Sequence, residues 1–136
     1  MEKKCVMVID TELPLGLIAN TSAVLALALG KKIEGIIGSV VVDGDGHTHE
    51  GITTTPIPIL KGSRVMIKEL RETIASDYPD LFLVDFSNMA QMTKNYDDYM
   101  NKIASSSSGD IQYLGIAVYG NKKHVNKLTG SLPLLR

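Results

Sequence analysis

Between Leu13 and Gly30 the chain runs for 18 residues without a charged side chain. A stretch of that length and character is either a membrane-spanning helix or a helix covered within a fold. Pro14 and Gly16 at its start and Asn20-Thr21-Ser22 in its interior argue against a span. So does the segment before it. Lys4 to Asp10 is a short run rich in Val and Ile, the pattern of a buried strand, and it feeds directly into the helix. Pro at the front and Gly at the back are the usual brackets of a helix. A helix apolar on all sides is covered either by its own core or by a second subunit. A homodimer through the helix 13–30, using Ala19, Ala23, Ala26, Leu27 and Leu29, is therefore one expected partner arrangement.

Alternation continues along the chain. Ile36 to Asp43 reads as a second strand, Asp43-Gly44-Asp45-Gly46 as a turn, and His47 to Leu60 as extended. Pro56 and Pro58 forbid a helix there and favour a sheet edge. Ser63 is placed to cap a helix to about Ser76, with Met66, Leu70 and Ile74 on its apolar face. Tyr78-Pro79-Asp80 breaks it, and Leu81 to Phe86 is a third strong strand. Ser87 or Asn88 then caps a helix running to about Ala104, with Met89, Met92, Tyr96, Tyr99, Met100 and Ile103 on one face. Such a methionine stripe is either core packing or a partner groove, and core packing is the better reading. Ser105 to Gly109 reads as a flexible loop, Ile111 to Tyr119 as the last strand, and 121–129 as a short helix. The expected fold is α/β: a mixed, mostly parallel sheet of about four main strands flanked by helices, with a hairpin-like antiparallel edge from 43–60. Neither a repeat nor a linker divides residues 1–136, so one domain is expected.

Composition narrows the class. At 44% hydrophobic and 21% charged residues the chain is too apolar for disorder. The charged start, Met1-Glu2-Lys3-Lys4, is followed by too short an apolar run for a secretory leader. A single cysteine, Cys5, excludes an internal disulfide and lies inside an apolar run, as a core residue does. A cytoplasmic protein with no membrane association is expected. The net charge of −1 does not support nucleic-acid binding. After Asp110 there is no acidic residue, while Lys122, Lys123, Lys127 and Arg136 are basic, so the C-terminal segment is locally positive.

Three strands end alike, at Val8-Ile9-Asp10, Val41-Val42-Asp43 and Leu83-Val84-Asp85. Ligands of open α/β sheets bind outside the carboxyl ends of strands. Asp10 and Asp85 are thus candidates to orient a substrate, hold a cation or act as a base, against the plainer role of starting a turn or capping a helix. The expected site joins Asp10, Asn20, Thr21 and Asp85 to Lys127, Thr129 and Ser131, around a small anionic ligand clamped by Lys127. The plainer alternative for Lys127 is a salt bridge that pins the C-terminus. Asp43, Asp45, His47 and His49 resemble a metal loop but lack a full ligand set, so an exposed hairpin with no metal is the better reading. Gly120-Asn121-Lys122-Lys123 could present backbone N–H groups to an anion, though it lacks the P-loop spacing. No Gly-x-Ser-x-Gly elbow marks a catalytic triad, and no cofactor is expected.

The run Val8-Ile9-Asp10-Thr11-Glu12-Leu13-Pro14-Leu15-Gly16-Leu17-Ile18-Ala19-Asn20 resembles the opening strand and helix of type 2 peptidyl-tRNA hydrolases, where an apolar strand leads to Thr-Asp-Leu and then Gly-Lys-Ile-Ala. Leu114-Gly115-Ile116-Ala117-Val118-Tyr119-Gly120 resembles their last strand. Over nearly the whole chain the sequence is similar to an uncharacterised domain-of-unknown-function family, number two thousand, with that hydrolase-like fold. Glu12-Leu13-Pro14-Leu15-Gly16, Val84-Asp85-Phe86 and the specific run from Asn126 to Arg136, Asn-Lys-Leu-Thr-Gly-Ser-Leu-Pro-Leu-Leu-Arg, carry that likeness. The resemblance implies a hydrolase-like fold without the hydrolase chemistry. Leu17 stands where those enzymes have their functional lysine, Val24 falls near their helix histidine, and their Asp-Ala-Gly-x-Thr-Gln segment is missing. Leucine supplies neither the charge nor the hydrogen bonds of lysine. A ligand-binding or otherwise non-hydrolase protein is expected. Its rivals are a hydrolase of acyl- or nucleotide-linked substrates with a rearranged site, and a homo-oligomeric interaction module.

Overall fold

The computed structural model describes residues 2–136. The elements in chain order are β1 (Lys3–Asp10), α1 (Leu15–Lys32), β2 (Val41–Val42), β3 (Thr48–His49), β4 (Ile59–Gly62), α2 (Arg64–Asp77), β5 (Phe82–Ser87), α3 (Asn88–Gln91), α4 (Tyr96–Ser105), β6 (Tyr113–Asn121) and α5 (Lys122–Thr129). The main sheet has the order β4–β1–β6–β5. β1 and β4 are parallel, while β6 runs antiparallel to both β1 and β5.

Alternation along the two central strands builds two cores. Cys5, Met7 and Ile9 face α1, whose Leu25 and Leu29 close over them. Val6 and Val8 face the other way and meet Ile67 and Ile74 of α2 and Val125 of α5. Fully burying each such aliphatic side chain contributes about 1.5–3 kcal/mol. The result is a helix–sheet–helix sandwich. The uncharged helix α1 commits one stripe, Thr21, Leu25 and Leu29, to this core and leaves Leu15 and Leu27 exposed. Among the described residues no helix is long and apolar enough to cross a membrane.

Three expectations need correction. The sheet has three strands in one direction but is not mostly parallel by pairing. β5 and β6 are joined at a single edge, where Tyr113 pairs with Ser87 and the Asn88 N–H donates to the Gln112 carbonyl at 2.9 Å, so no crossover intervenes. The expected strand 36–43 does not join the main sheet. It pairs with the following segment as a separate ribbon, and β4 from the end of the extended stretch adds to β1 instead. The helix expected to run to Ala104 is broken. The Thr93 hydroxyl donates to the Met89 and Ala90 carbonyls and ends α3, and the Asn95 side chain accepts from Asp98 N–H and starts α4. The break re-aims the methionines: Met89 is buried, whereas Met92 and Met100 are exposed.

One glycine sets the closeness of α1 to the sheet. A Cβ at Gly115 would lie 2.8 Å from the Thr21 methyl and 3.3 Å from the Val8 carbonyl oxygen. Gly115→Ala is expected to cost about 1–3 kcal/mol in urea unfolding. Thr21→Ser removes the opposing methyl, so the alanine should cost less in that background. An equal cost in both backgrounds would show that the Thr21 contact does not set the spacing.

Candidate functional site

The strand-end aspartates are held by one helix. Asp10 is 1% exposed. One of its oxygens accepts from the Glu12 N–H at 2.9 Å, and the other meets Arg64 Nε at 2.9 Å. Arg64 also donates to Gln112 Oε1 at 2.5 Å, and the Gln112 N–H donates to Asn88 Oδ1 at 3.0 Å. Asp85 meets Arg71 Nε at 2.9 Å, and that guanidinium lies 4.7 Å from the centre of the Tyr113 ring. The seven-residue step from Arg64 to Arg71 spans about 10.5 Å along α2. Asp10 and Asp85 are separated by β6 and a two-residue offset, about 12 Å from strand spacing and rise. The helix therefore spans the two acids with two matched cations. Both carboxylates are neutralised inside the fold, which suits anchoring rather than cation binding.

The seven expected site residues lie on different elements of the fold. α1 covers one face of the sheet and α2 and α5 the other. Thr21 is buried on the α1 face, its hydroxyl donating to the Leu17 carbonyl, and Asn20 is exposed on that helix. Asp10 and Asp85 pair with α2 on the opposite face. Thr129 is buried with its hydroxyl on the Val125 carbonyl, while Lys127 and Ser131 are exposed. Asn126, next to Lys127, accepts from Lys4 Nζ at 2.5 Å. Lys4 lies six residues, about 20 Å of strand, from Asp10. The sheet stands between Thr21 of α1 and the two acids paired with α2.

The Asp/His segment closes a hairpin. Asp43 accepts from the backbone N–H groups of Asp45 and His47 and meets His49 Nε2 at 2.8 Å. The His49 contact, followed by the backbone bonds, holds the Asp43 carboxyl below its ordinary range. Among the described residues no group of three or more His, Cys, Asp or Glu side chains is placed to hold a metal ion.

A groove of about 420 Å³ lies instead along β5. One wall is apolar: Val24 and Ala28 of α1, Val84 and Phe86 of β5, and Ala90 of α3. The other is polar and aromatic: Thr93, Lys94 and Asn95 between the helices, with Tyr96 and Tyr99 of α4 packed edge to face at 5.5 Å. Of the expected site residues, Asp85 lines it. Burial, with Asp85 close by, pushes the Tyr99 hydroxyl pKa up, so it remains a hydrogen-bond donor at neutral pH. Lys94, exposed at the rim, makes no ion pair among the described residues. Sequence reasoning took 93–95 for helix interior and so missed this wall. It also missed Arg64 and Arg71, although their spacing placed them on one helix face.

A family model described as "Protein of unknown function (DUF2000)" matches residues 3–136. No curated protein matches the chain. Among solved structures, a protein of unknown function, Atu0240, from Agrobacterium tumefaciens strain C58 is similar with a TM-score of 0.89 at 17% identity, over 100% of this chain and 99% of that one. That likeness is one of fold.

Two outcomes follow from the buried polar groups. Arg64→Met should lower stability by about 1–3 kcal/mol in denaturant unfolding, because it strands the Asp10 carboxylate, and adding Asp10→Asn should recover part of the loss. The partial exposure of Arg64 keeps the figure below that of a fully buried pair. Burial raises the Cys5 thiol pKa to about 11, so iodoacetamide at about pH 8 should leave the native protein unmodified and react on unfolding. Rapid alkylation of the folded chain would contradict this.

Proposed function

The chain belongs to the DUF2000 family, proteins of unknown function, and from that footing we propose that it is a single-domain small-ligand-binding protein, not a peptidyl-tRNA hydrolase, on a type 2 peptidyl-tRNA hydrolase-like fold. The β5 groove carries this reading. Its volume suits a small molecule, its apolar wall suits a flat or aliphatic body, and Lys94 at the rim suits an anionic group. Tyr96 and Tyr99 add stacking surface and hydroxyl donors. Against hydrolase chemistry, Leu17 packs with the α1 core and Val24 presents only an apolar side chain to the groove. Neither position supplies a proton or a charge. The ligand class this favours is a small amphipathic anion, an aromatic or aliphatic body bearing a carboxylate, sulfonate or phosphate.

Anilinonaphthalene sulfonate has that chemistry and serves as the probe. Saturable binding with a fluorescence increase is expected. Lys94→Ala should weaken it about tenfold, the effect of one charge-assisted contact. Ala90→Trp should fill the groove and abolish it without unfolding the protein. Binding that does not saturate, or that neither substitution changes, would remove the groove as the site. Efficient, mutation-sensitive turnover of a peptidyl-tRNA by the purified chain would overturn the non-hydrolase reading.

A further inference from the structure

Residues 36–54 form a ribbon whose construction suits contact with another surface. A single register runs along it: Ile37 bridges Thr53, Val41 pairs with His49 and Val42 with Thr48. The ribbon is closed by a tight turn in which Asp43 N–H donates to the His47 carbonyl and Gly46 takes a positive φ of 85°. At Gly51 a Cβ would lie 1.8 Å from the Gly38 carbonyl oxygen, so the strands approach there as closely as only glycine allows. This is a shaped element, yet it is open to solvent. Ile37, Val40, Val41, Val42 and Ile52 are between 51% and 78% exposed. By strand alternation Val40, Val42 and Ile52 share one face and Ile37 and Val41 the other. An isolated two-stranded ribbon is marginally stable in water. An apolar surface of this kind, on the order of several hundred Å², marks an interaction site.

Charge identifies what it fits. The outer part of the ribbon carries Asp43, Asp45 and Glu50, and neither Asp45 nor Glu50 has an ion-pair partner among the described residues. The matching surface lies on the same chain. The first turn of α5 carries Lys122 and Lys123 beside a groove of about 490 Å³ reaching to Glu2 and Asn126. Lys122 pairs with Glu2 at 3.1 Å, whereas Lys123 makes no ion pair among the described residues. The acids at this surface are already engaged, Glu2 by Lys122 and Asp80 by His124 Nδ1 at 3.1 Å, and the chain carries no acidic residue beyond Asp110.

We infer that the ribbon 36–54 is a dimerisation arm, whose apolar faces and acidic tip dock on the lysine-bearing α5 surface of a second copy of this chain. Reciprocal docking about a two-fold axis uses both arms and both α5 surfaces, so the assembly closes at two chains. The interface is distinct from one through α1 and is independent of the β5 groove.

Light scattering on the eluting full chain tests this. The mass should be twice 14.7 kDa at tens of micromolar. Val40→Asp combined with Val42→Asp should raise the dissociation constant about a hundredfold or more, with unchanged far-ultraviolet circular dichroism because both residues are solvent-exposed in one chain. Asp45→Lys should weaken association about tenfold, and Lys123→Asp added to it should restore association. A monomer at every concentration tested overturns the inference. So does a dimer unaffected by the valine substitutions but dissociated by Leu27→Asp, which would place the contact on α1. Failure of the charge swap to restore association overturns the α5 seat.

Discussion

The pairing of β6 with both of its neighbours is the constraint from which the rest of the molecule hangs. On one side it is in register with β1 from Lys3–Asn121 to Ile9–Gly115, and on the other with β5 from Phe82–Tyr119 to Phe86–Gly115. Cys5 to Asp10 in β1 is buried residue by residue, and Tyr113 to Val118 in β6 likewise. Such a strand pair offers its backbone groups no water, so each N–H and C=O depends on the ladder. Every helix is then placed by which side of that ladder its apolar stripe covers. Gly115 matters because it lies within the ladder where α1 comes closest.

The acids at the strand ends show how much position alone leaves open. Asp10 and Asp85 look like site residues because of where they stand on their strands. Each already has a partner: a carboxylate that holds an arginine at 2.9 Å has its charge matched within the fold. Freeing it for a ligand would leave a partly buried guanidinium alone. The groove along β5 has the opposite character. Its cation, Lys94, has no ion-pair partner among the described residues, and one wall of its lining is apolar.

Much of the fold was legible in the residues because local chemistry and tertiary demand agree. The Val- and Ile-rich run of β1, the Ser63 cap whose side chain accepts from Met66 N–H, and the strands at Leu81 and Ile111 stand where the pattern puts them. The failures have a common cause. Val41-Val42 has the composition of a sheet strand, and nothing local distinguishes a ribbon in solvent from one in a sheet. The segment between β5 and β6 is long enough for a crossover, so its return to the same edge was hidden. Arg64 and Arg71 share a helix face in any reading, but their acids could be named only once the strand order was known. The site was less legible than the fold for the same reason: its walls come from α1, β5, α3 and α4, brought together by topology.

Strand order also dictates when this protein can exist during its own synthesis. β6 is the last strand of the main sheet to be made, and it lies between the first strand and the third. Until it emerges, β1 and β5 have no common neighbour. Even then β4 gains its outer cover only when Leu134 bridges to Leu60. Pairings that join residues 3 and 121 are about as non-local as this chain permits, and such topologies fold slowly. During synthesis β5 and one edge of β1 therefore stay without a neighbour until residues 113–121 have been made, and the burden of keeping those edges apart falls on whatever shelters the emerging polypeptide.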